Sequence, residues 1–182
     1  MAHSAEPLAM HPYFDLELIM SLGQETRLGG AVTERLMRMW EQWLSEAHAL
    51  RIQTDSLAYL AVWLNEKVEE EVDKAWEQSP SDAYLYNTLA QALCMSAVYG
   101  LLPETLEAGC APAPRVTDTL REALSAEGLP YTPSGTLARR YAVVTNHPFK
   151  GGCEICSLQH ACPKAQGAGE DASILLPGYE RE

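Results

Sequence analysis

Between Asp82 and Glu104 the chain carries no charged side chain. A stretch of that length, rich in Leu, Ala and Tyr, has two destinations: a bilayer or the centre of a fold. Asn87, Thr88, Gln91 and Ser96 lie within it, and unpaired polar side chains are costly in hydrocarbon. The stretch is therefore expected as a buried helix that the neighbouring elements must cover. Ser79, Pro80, Ser81 and Asp82 supply its N-cap and first turn, and Gly100 and Pro103 stop it.

The covering elements read as helices. Pro12–Leu22 predicts a short first helix ending near Gly23. After Gly29-Gly30, the residues Val32, Leu36, Trp40, Trp43, Leu44, Ala47 and Leu50 recur at steps of three and four, the spacing of an amphipathic helix. Thr54, Asp55 and Ser56 offer N-cap side chains to a second stripe formed by Leu57, Leu60, Ala61, Leu64, Val68, Val72 and Trp76. Val116, Leu120 and Leu124 mark a short helix over 115–126, before Gly128 and Pro130. Only 140–145, with Tyr141, Val143 and Val144, has the composition of a strand, and it could equally end a helix beginning after Gly135. The pattern predicts an all-α fold: one bundle of five to six helices over residues 1–128. A metal- or cluster-binding cysteine hook over 129–169 packs on that body, and an acidic tail over 170–182 follows.

Composition sets the compartment and the partners. A chain of 182 residues can bury a core without staples. Met1–His11 has no apolar run of the signal-peptide kind, which predicts a reducing, cytoplasmic setting. The strongest continuous apolar run, Leu57–Leu64, is short against the roughly 20 residues that span a bilayer, so no membrane is expected. The net charge of −12 disfavours nonspecific contact with phosphate backbones. The segment 129–169 runs the other way, with Arg139, Arg140, Lys150 and Lys164 against Glu154 alone. Such a basic segment either docks on the acidic body or meets an anionic partner, nucleic acid included. Trp40, Trp43, Trp63 and Trp76 mostly join apolar stripes and read as core, while Glu69–Glu71 reads as a solvated face. No dinucleotide fingerprint, P-loop, nucleophile elbow or metalloprotease helix is present, and no residue is assigned a catalytic role.

Three of the five cysteines crowd into ten residues. Cys153, Cys156 and Cys162 are spaced C-x2-C-x5-C, with Gly151-Gly152 before them and Pro163 after. Two thiolates two residues apart can reach one metal or one face of a cluster, and glycines let the backbone come close. In a reducing compartment this pattern reads as metal or iron–sulfur ahead of disulfide. Cys110, in the loop Glu107–Pro114, is the expected fourth ligand; His147 and His160 are the alternatives. Zinc would use the same thiolates. Cys94, inside the uncharged stretch, reads as a small buried hydrophobe.

Over these ten to twenty residues the hook resembles three cluster-binding families. Endonuclease III-type glycosylases bind [4Fe-4S] through C-x6-C-x2-C-x5-C, but the first position here is Asn146. RecB-like exonucleases close a [4Fe-4S] staple with C-x2-C-x5-C and one distant upstream cysteine, a pattern that Cys110 would complete, although their acidic E-x-K strand is missing. SPASM domains place a further cysteine where Gln166 stands. Together the resemblances imply a [4Fe-4S] cluster on Cys110, Cys153, Cys156 and Cys162. The expectation is a small iron–sulfur protein, an accessory or electron-transfer partner in redox metabolism with a protein partner. The alternatives are an interaction module stapled by zinc or the cluster, and a nucleic-acid processing factor.

Overall fold

Ala58–Leu64 is a strand and not the opening of a helix, which overturns the all-α expectation. The computed structural model describes residues 3–162. There β1 (Ser4–Pro7) precedes α1 (Leu16–Leu22) and α2 (Gly30–Trp43), β2 (Ala47–Gln53) and β3 (Ala58–Leu64) form a hairpin, and α3 (Glu66–Gln78), α4 (Pro80–Leu101), α5 (Glu104–Ala108), α6 (Asp118–Ala126) and β4 (Ala142–Asn146) follow. The strands make one antiparallel sheet in the order β1-β2-β3-β4, with Leu50 opposite Ala61 and Ala61 opposite Val144.

The sheet lies between two apolar layers. Leu60, Val62 and Leu64 pack with Trp40 and Trp43 of α2, Val68 and Val72 of α3 and Leu89 and Leu93 of α4. On the other face Tyr59, Ala61 and Trp63 pack with Leu120, Ala123 and Leu124 of α6 and with Leu129. A strand covered on both faces has no polar alternation, so β3 reads as one apolar run, which periodicity alone does not separate from a buried helix. Strand β2 was hidden in the same way, its Ala47 and Ala49 serving one layer and Leu50 and Ile52 the other.

Thr54, Asp55 and Ser56 are hairpin residues and cap no helix. The Thr54 N–H donates to the Leu57 carbonyl at 2.8 Å, and the Leu57 N–H donates to Thr54 Oγ1 at 3.2 Å. The chemistry that makes Thr, Asp and Ser good caps also makes them good turns. Helix α3 then starts at Glu66 and buries Val68, Val72 and Ala75, leaving Trp76 45% exposed instead of in the core.

Helix α4 fulfils the reading of the uncharged stretch. Ser79 Oγ accepts from the Asp82 N–H at 3.4 Å, and Ala83, Leu89, Ala90, Leu93, Ala97 and Val98 are buried. Among the described residues no helix is long and apolar enough to cross a membrane.

Two of the basic segment's four cations, Arg139 and Arg140, meet the acidic face of α3. The Arg140 guanidinium donates to both carboxylate oxygens of Asp73 at 2.7 and 3.0 Å, its main-chain N–H donates to Glu69 Oε1 at 2.8 Å, and Arg139 reaches Glu66 at 3.4 Å. Glu71 accepts from Trp43 Nε1 at 2.6 Å, so the acidic face of α3 is a set of acceptors and not merely solvated. The Arg140 hydrogen bond holds the Asp73 carboxyl below its ordinary range, and hydrogen bonds from Lys67 and Asn65 do the same for Glu46. A carboxyl whose pKa falls on folding stabilises fully above its unfolded pKa, and that contribution is lost as pH drops through the lower folded value. Urea midpoints measured downward from neutral pH should therefore fall through the acid range, and Asp73→Asn should flatten the decline.

Candidate metal centre

The loop carrying Cys110 is built to be stiff. Gly109, at φ +64°, ends α5 in the left-handed conformation that glycine takes without strain, and Cys-Ala-Pro-Ala-Pro follows. Two prolines fix their own φ and push the residues before them into extended backbone. They also leave carbonyls that need donors. Buried Thr145 of β4 donates its hydroxyl to the Pro112 carbonyl at 2.9 Å, and the Ser157 N–H donates to the Ala113 carbonyl at 2.9 Å. Ala111 packs against the main core in company with Phe149.

The hook is folded just as locally. Gly152 has φ +111°, a conformation closed to most side chains, and it turns the chain into a short 3-10 turn over Cys153–Ile155; a second covers Gln159–Ala161. The Cys156 N–H donates to the Cys153 carbonyl at 3.2 Å, which closes the C-x2-C turn.

These two pieces meet. Cys110, Cys153, Cys156 and Cys162 all line one cavity of about 300 Å3, whose remaining wall is mostly apolar and includes Ala111, Pro112, Ala113, Leu158 and Ala161. All four thiols are half-buried. Neither His147 nor His160 lines the cavity. His147 sits just past β4, its main-chain N–H bonded to the Ala58 carbonyl and its buried Nδ1 without a hydrogen-bond partner among the described residues. Cys94 lies elsewhere: its Sγ donates to the Tyr141 carbonyl at 3.4 Å, and burial pushes the thiol up to about 12. Lys164, Pro163, Gln166 and the acidic tail lie outside the described residues.

Four cysteine thiolates suit a [4Fe-4S] cluster or a tetrahedral zinc alike. Among the described residues no three His, Cys, Asp or Glu side chains form a group that could hold a metal ion.

Tyr99 of α4 joins this neighbourhood. Burial raises its phenol pKa, and the nearby Cys110 raises it further. Sequence reading missed Thr145, Ser157 and the Ala-Pro-Ala-Pro wall. Its one available signal was a proline pair directly after a lone cysteine, which demands outside donors for its carbonyls. Thr145→Val keeps the shape and strands the buried Pro112 carbonyl, so it should cost about 1–3 kcal/mol in urea unfolding and loosen the Cys110 loop. In comparisons with known proteins, no family model, curated protein or solved structure matches the chain.

Proposed function

We propose that Cys110, Cys153, Cys156 and Cys162 hold a [4Fe-4S] cluster and that the protein is a small cytoplasmic iron–sulfur protein, an accessory or electron-transfer partner in redox metabolism. One observation carries the reading: cysteines from two distant parts of the chain line a single apolar cavity. A bound cluster would supply one-electron redox chemistry. The chain's own part is to hold four thiolates, to keep water off them with Ala111, Pro112, Ala113 and Ala161, and to lie close to the surface, where Leu158 is 59% exposed. The nucleic-acid alternative is weakened because Arg139 and Arg140 already face Glu66 and Asp73.

The test is anaerobic reconstitution followed by iron, zinc and acid-labile sulfide analysis. Iron and sulfide in equal amounts, with absorbance near about 400 nm that bleaches reversibly on reduction, are expected. Zinc without iron would overturn the proposal, and a centre that cannot be reduced reversibly would leave it a structural staple.

A further inference from the structure

The antiparallel ladder determines which backbone groups of β4 face outward. The Leu64 N–H donates to the Tyr141 carbonyl and the His147 N–H to the Ala58 carbonyl, both at 2.9 Å. By the alternation of such a ladder, Tyr141, Val143, Thr145 and His147 bond to β3, whereas Ala142, Val144 and Asn146 direct N–H and C=O away from it. β4 ends the sheet, and those outward groups meet no backbone partner among the described residues.

A groove of about 490 Å3 is lined by Ala142, Val143 and Val144 of this strand together with Ala111, Ala113, Pro114, Tyr131, Leu137 and Arg139. A bare edge usually carries charge, proline or a bulge against unwanted pairing. Here Ala-Val-Val-Thr-Asn has none of these, and the groove lies along it. Donors and acceptors at two-residue spacing call for another extended backbone, which is how strand addition captures peptides.

We propose that the outer edge of β4 takes up an extended acidic segment of a partner protein as a fifth strand. The charges favour this occupant. Arg139 and Arg140 stand at the start of the edge, and Arg115 and Lys150 line a smaller cavity at its end beside Asn146, with Glu154. Arg140 is committed to Asp73, and Arg139 lies 3.4 Å from an exposed Glu66. Arg115 and Lys150 form no ion pair among the described residues. A second copy, pairing β4 with β4 antiparallel, would bring Arg139 and Arg140, already balanced by Glu66 and Asp73, to the other copy's Arg115 and Lys150, and Ala142–Asn146 itself supplies those two cations no carboxylate. The groove shares Ala111, Ala113 and Leu158 with the cysteine cavity, so the docked strand would lie against the centre, yet the proposal goes beyond the metal reading and does not depend on it.

The test uses the full chain and two dye-labelled synthetic peptides, one alternating Glu and Val, the other Lys and Val, read by fluorescence anisotropy. The Glu peptide should bind at least about tenfold more tightly, with the preference shrinking in high salt. Ala142→Pro removes an outward N–H and no ladder bond, so it should weaken the Glu peptide by about tenfold. If that variant fails to fold, Arg115→Glu with Lys150→Glu should invert the preference between the peptides. Equal binding of both peptides, or binding untouched by these variants, would overturn the proposal. So would a dimer in sedimentation that Ala142→Pro dissolves, which would assign the edge to a second copy. Binding that appears only after removal of the acidic residues 170–182 would likewise overturn it, in favour of the chain's own tail.

Discussion

Replacing Cys110 by serine is expected to cut the iron retained after anaerobic reconstitution by at least about tenfold, with the far-ultraviolet spectrum unchanged. Loss of an outer support of a metal ligand already costs about 10–100-fold in affinity, and Cys110 would be a ligand itself. The side chain is half-buried in a loop whose path is set by Gly109, the two prolines and the Thr145 and Ser157 hydrogen bonds, none of which involves the thiol. Cys94→Ser is the control. It changes a fully buried thiol in α4, so it should lower stability and leave the iron content alone. Unchanged iron in the Cys110 variant would remove that residue from the site and with it the only contribution from outside the hook.

Leu60→Ala should destabilise the protein by about 2–5 kcal/mol, measured by urea unfolding, because Leu60 is fully buried between β2, β4 and the α2–α4 layer. At this chain length each kcal/mol is worth about 2–4 °C, so the melting temperature should drop by about 4–20 °C. Trp76→Ala should stay within about 0.5 kcal/mol, since the ring is 45% exposed at the end of α3. A continuous helix over 57–76 would have put both side chains on one buried stripe. Comparable losses at the two positions would speak for that stripe and against the strand.

What could be read from residues alone divides along physical lines. Helices were legible in part: α2 shows Leu36, Trp40 and Trp43 at helical steps, although the same steps ran on to Ala47 and Leu50, which belong to β2, and the buried α4 announces itself by its cap and its lack of charge. The sheet was not. β2 and β3 are covered on both faces and so lack the alternation that marks a half-exposed strand, while β1 spans only Ser4–Pro7. β4 was half an exception: Tyr141, Val143 and Val144 carry β-branched and aromatic composition, but so short a segment reads equally as the end of a helix after Gly135. At the site, the C-x2-C-x5-C spacing is local chemistry and therefore visible. The position of Cys110 beside it depends on Thr145, Ser157 and the β3–β4 pairing, contacts between residues far apart in the chain that no spacing encodes.

The sheet's order also has a consequence for synthesis. β3 is paired on one side by β2, its immediate predecessor, and on the other by β4, where Tyr59 meets Asn146. At about 5–20 residues per second, a ribosome needs roughly 4–16 s to add the roughly 80 residues between them. Through that interval the most apolar strand of the protein has an open edge, the condition in which nascent chains pair wrongly. The acidic helix α3, emerging directly after β3, supplies charge at that moment, and its Glu66, Glu69 and Asp73 are the groups that later receive Arg139 and Arg140 as β4 arrives. The same carboxylates can thus keep the unfinished chain apart from its neighbours and then draw the last strand into place.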